Sequence, residues 1–373
     1  MVTRALVESA KDPMLPSPAS RSLVEADLVE AASVSSIAQG IGSAFHETLE
    51  RTGIRAPAFL GAHRTLVAAR RVSIASAIMR ISATLDSRGT SWVSFGGPVI
   101  ALAHRHPLLR NTDDPSVLVA GTDLRSTLAS IESAGGFSIN RNWDSYLSHG
   151  VGVLPVQVET VVVNLHWSLI DLARDRKRIH FDTRGVLERS RRIKFNDLEI
   201  PSFETNDQLV QLCLKEGLAS ATRIGPLRDI HEAVSTSPPD WMQLTERIKD
   251  CGAASMIAHV LDRSRQTFNT PVPDEFLRQW LSKRRLERRR RQDSRPGDSL
   301  RSIYQGSSVS TTRDNLSAMC HARARRTISG LLKRFGPPTA WDPTDESGVF
   351  YWNHDAGGDE ARDSYLDFAF REG

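Results

Sequence analysis

Cysteine is scarce in this 373-residue chain, with three residues, Cys213, Cys251 and Cys320, and no CxxC pair. A disulfide framework or a zinc ribbon is thereby excluded, and a reducing cytoplasm is the expected compartment. No apolar run approaches the roughly 20 residues needed to cross a bilayer, so no membrane association is expected. The N-terminal MVTRALVESAKDP lacks the long apolar stretch of a secretion signal. Also missing are GxSxG, a P-loop, GxGxxG and HExxH. Their absence leaves serine hydrolases, Walker-type ATPases, dinucleotide enzymes and zincins without support. No internal repeat is found. What remains is an ordinary globular composition, 40% hydrophobic and 25% charged, which excludes collagen-like and wholly disordered chains.

Charge is unevenly placed although the net value is only +4. Lys283, Arg284, Arg285 and Arg288 to Arg291 form one basic run, and Asp342 to Asp367 is an acidic tail. Such asymmetry allows a nucleic-acid partner. A solvated helix end running into a linker explains it better.

Read along the chain, residues 1–20 are rich in Ser, Pro and Ala and are expected to be a disordered N-terminus. Residues 21–86 read as N-terminal helices. Ser22 and Glu25 form a capping box for the first, and Ile74, Ile78, Ile81 and Leu85 align along one face of the second, at 64–86. The pattern then becomes β-prone. Ser91–Phe95 reads as a strand, Gly96–Gly97 as a tight turn, and Pro98 as the opening of a helix. Ser116–Ala120 is a second strand. Thr122 is expected to cap a helix over 123–133 that ends at Gly135–Gly136. Val156–Trp167 is the strongest β signal and is read as one strand. Strand and helix alternate, which implies a small sheet with covered faces at 87–200. Residues 201–291 read as a helical domain. Residues 292–314 form a basic, Ser-rich linker, and 315–373 a C-terminal helix followed by the acidic tail.

The chemistry centres on the glycine turn. Between a strand and a helix, a Gly–Gly pair lets backbone N–H groups approach an anion, with the helix dipole adding to the attraction. Arg110 precedes Asp113 and Asp114, which lead straight into the strand SVLV. A carboxylate at the head of a strand beside such a turn is placed to hold a divalent ion against a triphosphate.

In this order of segments the sequence resembles the uncharacterised bacterial nucleotidyltransferases, within the DNA polymerase beta-like nucleotidyltransferase superfamily. The matching pieces are SFGGPVIAL at 94–102, RNTDDPSVLV at 110–119, the helix running to GGF at 135–137 and VVVNLHW at 161–167. In the helical half they are NDQLVQLCLKEG at 206–217, RIGPLRDIHEAV at 223–234, DWMQLTERIKDCG at 240–252 and NTPVPDEF at 269–276. The resemblance implies an α+β fold with a small mixed-sheet core, flanking N-terminal helices and a helical C-terminal domain. It also implies transfer of a nucleoside monophosphate from an NTP to a small-molecule or peptide acceptor, with Mg (or Mn) as cofactor. In that superfamily two ions bridge three carboxylates and the triphosphate.

Carried over residue by residue, Gly96 and Gly97 would grip phosphates and Arg110 would neutralise their charge. Asp114 takes the first metal position, with Asp113 as its neighbour. The second position falls on Ser116 and the third on Asn164, with His166 two residues further along the same strand face. Residues 114 and 116 share a face and 113 points the other way. Ser116 and Asn164 are neutral, and Mg²⁺ prefers carboxylate and phosphate oxygens, so the metal-binding motif is degenerate. Two readings follow, a working transferase with a sparse metal site and a catalytically silent binding or scaffold protein. Glu159 lies on the opposite alternation from Asn164. The remaining candidates carry plainer readings. His104 and His106 read as a surface helix end and Asp229 as a helix-pairing residue. Cys213, Cys251, Trp241 and Trp280 read as core, and His180, Asp182, His354 and Asp355 have no partner at a recognisable spacing.

Overall fold

The computed structural model describes residues 1–111, 115–219, 223–281 and 358–373. Asp113, Asp114, the basic run, the linker at 292–314, the helix expected near 315–335, Cys320, His354 and Asp355 lie outside the described residues.

The first five helices are α1 (Val2–Lys11), α2 (Pro18–Glu25), α3 (Val29–Ala38), α4 (Gly42–Thr52) and α5 (Ala58–Asp86). The N-terminal segment expected to be disordered is therefore a helix. Val2, Ala5, Leu6, Ser9 and Ala10 recur at helical spacing, and Ala5, Leu6 and Ala10 are completely buried. Nor is Ser22 a cap. Ser17 caps α2, its Oγ accepting from the Ser20 N–H at 3.1 Å, with Pro18 as first helical residue.

The sheet half follows: β1 (Trp92–Gly96), α6 (Gly97–Leu102), β2 (Pro115–Val119), α7 (Leu124–Ser133), β3 (Phe137–Ser138), α8 (Trp143–His149), β4 (Val153–Val158), β5 (Val161–His166), α9 (Ala173–Arg176), α10 (Thr183–Glu188), β6 (Arg191–Phe195) and β7 (Leu198–Ser202). Thr122 does not cap α7; a 3-10 turn at Gly121–Asp123 leads into it without a side-chain cap. The apolar stretch 156–167 is part of a hairpin. Glu159 takes a left-handed conformation, φ 54°, and turns β4 into β5. A second hairpin, β6–β7, turns at Asn196, φ 54°.

One seven-stranded mixed sheet results, in the order β3-β4-β5-β2-β1-β7-β6. β2 runs antiparallel to β1 and parallel to β5, and β1 runs parallel to β7. Alternation gives the sheet two unlike faces. Trp92, Val117, Val119, Leu154, Val156, Val163 and Leu165 point to one and pack against α5, α7 and α8. Val93, Phe95, Ser116, Leu118, Asn164 and His166 point to the other. There a small cluster forms with Val186 and Leu187 of α10 and with Phe203.

Five helices complete the helical half: α11 (Thr205–Leu218), α12 (Ile224–Thr236), α13 (Trp241–Lys249), α14 (Ala254–Phe268) and α15 (Asp274–Trp280). They share a core with α1, α2, α3 and α4. Cys213 and Cys251 are buried free thiols in it, and burial pushes the Cys213 thiol well up. A last helix, α16 (Gly358–Glu372), returns to the covered face of the sheet and buries Tyr365, Leu366 and Ala369 there. Tyr365 donates its hydroxyl to the Val151 carbonyl at 2.9 Å and accepts from Trp167 Nε1 at 3.0 Å. Arg125 pairs with Asp363 and Asp367 of the acidic tail. No helix among the described residues is long and apolar enough to cross a membrane.

Candidate functional site

The junction of β1 and α6 is a sharp corner. Gly96 sits at φ 83° and ψ −159°, a combination open in practice only to glycine. Gly97 begins α6 and Pro98 follows, where a missing N–H leaves no bond unmade. Opposite Gly96 in the ladder is Pro115, the residue after Asp114. Asp113 and Asp114 lie outside the described residues, yet the covalent neighbour of Asp114 is registered beside the glycine corner.

The next ladder row extends the site. Phe95 pairs with Ser116, and Ser116 pairs with Asn164 across the parallel β2–β5 contact. Two strands about 4.8 Å apart therefore present Ser116 and Asn164 side by side on the less covered face. His166 follows two rows on, beside Leu118. Its ring lies 5.0 Å from that of Phe95. Its buried Nδ1 has no hydrogen-bond partner and lies 3.5 Å from Asp171 Oδ1. The rows thus bring Gly96, Ser116 and Asn164 together at one end of the sheet, with His166 on the same face as Ser116 and Asn164 but further from the corner.

Arg110 is placed otherwise than expected. Its guanidinium, 5% exposed, forks onto Asp229 of α12 through Nε and Nη2, both at 2.8 Å. Its Nη1 donates to the carbonyls of Gly97 and Asn111 at 2.9 and 2.8 Å. Arg110 therefore holds a carboxylate and the backbone of the glycine turn, not an exposed phosphate position. Asp229 also accepts from His104 Nε2 at 2.7 Å, so His104 is a buried residue and not a surface helix end. Burial alone would raise the Asp229 pKa. The Arg110 charge and the bonds from His104 and Arg110 outweigh it and hold that carboxyl below the usual range. Burial also holds His104 below the usual imidazole value in spite of Asp229. A neutral ring donating from Nε2 suits the unpartnered, buried Nδ1 of His104, which then carries only a lone pair. From the other side, Arg71 of α5 donates to the Arg110 carbonyl at 2.7 Å and to that of Pro107. The glycine turn is thus tied to both the long helix and the helical half.

Glu159 is remote from this end. It sits in the β4–β5 turn, where it accepts from Ser76 Oγ at 2.8 Å and pairs with Arg80 at 3.3 Å. Sequence reading missed Asp171 beside His166, and it read Asp229 as helix pairing without its partners. Arg228, Asp229 and Glu232 sit on the buried side of α12, and charges at apolar helical positions were the available signal.

The residues described here do not make up a metal cage. Among the described residues no three His, Cys, Asp or Glu side chains cluster as metal ligands. Ser116 and Asn164 offer neutral oxygens, so they do not fit a site for two divalent ions.

The family model of the uncharacterised nucleotidyltransferases matches residues 35–269. The chain belongs to that family. No curated protein matches the chain. The nucleotidyltransferase match runs from within α3 to the end of α14. It takes in the glycine corner, the Ser116–Asn164 row and the Arg110–Asp229 tie, and it leaves α1, α2, α15 and α16 outside.

Proposed function

We propose that this chain binds a nucleoside triphosphate at the Gly96 end of the sheet and transfers its nucleotidyl group to a hydroxyl of a small-molecule or peptide acceptor. The observation that carries this reading is the pair of successive ladder rows in which Gly96 meets Pro115 and Ser116 meets Asn164. A glycine corner and two polar side chains then border one edge, in a chain of the nucleotidyltransferase family. Backbone N–H groups at the corner suit phosphate oxygens. Ser116 and Asn164 supply neutral hydrogen bonds to a sugar or phosphate. His166, with Asp171 nearby, borders the same face. Divalent metal, Mg²⁺ or Mn²⁺, would rest on Asp114, with Asp113 beside it in sequence, and its chemistry would be to neutralise phosphate charge.

A second reading is favoured by Ser116 and Asn164 themselves. With two neutral residues in these positions, the protein binds its nucleotide and serves as a silent binding or scaffold member of the family.

Thermal unfolding with each NTP at millimolar Mg²⁺ or Mn²⁺ separates the outcomes. Both readings expect a higher midpoint with at least one nucleotide. The transferase reading further expects that the rise shrinks in Asp114→Ala and that pyrophosphate is released when an acceptor is supplied. A rise without pyrophosphate release selects the silent protein. No rise with any NTP overturns nucleotide binding altogether.

A further inference from the structure

The polar row on the less covered face lacks a base. Ser116 and Asn164 meet there, and neither side chain takes up a proton near neutral pH. Transfer to a hydroxyl needs a group that does. Along the strands the Gly96–Pro115 row comes first, the Ser116–Asn164 row next, and His166, beside Leu118, two rows further. At about 3.3 Å per residue, His166 stands about 7 Å beyond the polar row, on the side away from the glycine corner. β1 and β5 flank β2 and are therefore about 10 Å apart, yet the rings of Phe95 and His166 lie 5.0 Å apart. Both rings lean over β2, and Phe95 belongs to the row of Ser116, so the imidazole leans back toward the polar row. It is also oriented. Its Nδ1 is buried, has no hydrogen-bond partner and lies 3.5 Å from Asp171 Oδ1. Among the described residues Asp171 is the one charged side chain in ion-pair range of His166. Asp171 is held in turn. Its carbonyl accepts the Gly152 N–H at 2.6 Å, and the next residue, Leu172, bridges to Val151. A carboxylate facing Nδ1 keeps the proton there and leaves the lone pair on Nε2. The His166 side chain retains 12% exposure, and Nε2 makes no hydrogen bond to the described residues.

We propose that His166 is the base that takes the acceptor's proton in the transfer, with Asp171 as the residue that positions it. The assignment rests on nucleotide binding at the Gly96 end, the function proposed for this site. With the β- and γ-phosphates at the glycine corner, the α-phosphate falls at Ser116 and Asn164. In-line displacement sets the attacking oxygen opposite the leaving one. The acceptor hydroxyl then approaches from the side away from the corner, where His166 stands. A hydroxyl oxygen about 3.3 Å from phosphorus and about 2.8 Å from Nε2 fills about 6 Å, close to the two-row spacing. The proton of the hydroxyl moves to Nε2, and its oxygen forms the new bond to the α-phosphorus. The bond from that phosphorus to the bridging oxygen breaks, and its electron pair leaves with pyrophosphate. The imidazolium so formed faces Asp171 and returns its proton to solvent.

Tautomer and rate test this separately. In the isotope-labelled full chain, long-range proton–nitrogen correlation is expected to show neutral His166 protonated on Nδ1, its signals assigned by their loss in His166→Gln. In Asp171→Ala the proton is expected on Nε2, the form that free histidine prefers. A native ring protonated on Nε2 overturns the proposal whatever the activity. For the rate, pyrophosphate release is followed with the NTP that raises the unfolding midpoint, with water and with glycerol as acceptors. His166→Gln is expected to keep the NTP-induced rise and to lose about 10²–10⁴-fold in release. Asp171→Asn is expected to keep the rise and to lose less than His166→Gln. A fall below about tenfold in His166→Gln overturns the base. So does a native chain that binds NTP and releases no pyrophosphate with either acceptor, an outcome that leaves nucleotide binding standing. No rise with any NTP overturns the nucleotide reading and the base with it.

Discussion

On one face of the sheet, neighbouring strands present Trp92, Val117, Leu165 and Val156, and each packs into a core shared with α5, α7, α8 and α16. On the other face the same strands present Phe95, Ser116, Asn164 and His166, and only a small apolar cluster covers part of them. The contrast separates two ways of holding a sheet. The first face is held by area, because apolar surface removed from water contributes about 25 cal/mol per Å² whatever its detailed geometry. The second has a smaller apolar cluster, and at its Gly96 end Arg110 and Asp229 tie the glycine turn to α12 by directed bonds. A face with the smaller apolar cluster has room for polar side chains such as Ser116, Asn164 and His166, which the larger core excludes. One face therefore carries stability and the other the candidate chemistry.

The sharpest way to break this contrast is at the clamp. Asp229→Ala leaves the buried Arg110 guanidinium without its carboxylate and is expected to cost about 3–5 kcal/mol, read by urea unfolding. A loss below about 1 kcal/mol, the range of exposed ion pairs, would mean that the clamp does not hold the glycine turn to α12. On the covered face, Tyr365→Ala removes a completely buried ring and is expected to cost about 3–4 kcal/mol. Tyr365→Phe, which loses only the bonds to Val151 and Trp167, is expected to cost about 1 kcal/mol.

Acid should find the clamp. The folded pKa of Asp229 is depressed, so its contribution is complete above the unfolded value near 3.9 and is lost as pH falls below it toward the folded value. Unfolding midpoints compared at about pH 5 and about pH 3 should fall more steeply in the native chain than in Asp229→Asn. Equal slopes would contradict the assignment. The smallest effect tests the open face itself. Ser116→Asp with Asn164→Asp restores two carboxylates to one ladder row and is expected to tighten Mg²⁺ binding in the presence of NTP by about tenfold, read by calorimetry. Unchanged affinity would place metal elsewhere.

Much of this was legible in the residues. The inner face of α5, the glycine corner, the entry into β2 and the helical half all follow from periodicity and turn chemistry. Less visible were features whose local signals are weak. The turn at Glu159 has neither glycine nor proline and is hidden in a run of valines. The Asn196–Asp197 turn carried a usable signal, with β-prone residues on both sides. Serine and proline around residues 13–20 concealed the apolar spacing of α1. Arg110 read as a residue that neutralises phosphate charge because its partner lies 119 residues away, a separation that no local pattern spans. Asn164 and His166 were legible as sharing a strand face, but the row joining Ser116 to Asn164 is a property of the assembled sheet.

Hydrogen exchange with and without NTP and Mg²⁺ asks most directly whether the less covered face is where a nucleotide sits. The account predicts slower exchange in peptides spanning residues 94–102, 115–119 and 161–167, with little change in those from β6, β7 and α16. Protection confined to the helical half, or none at saturating nucleotide, would contradict it.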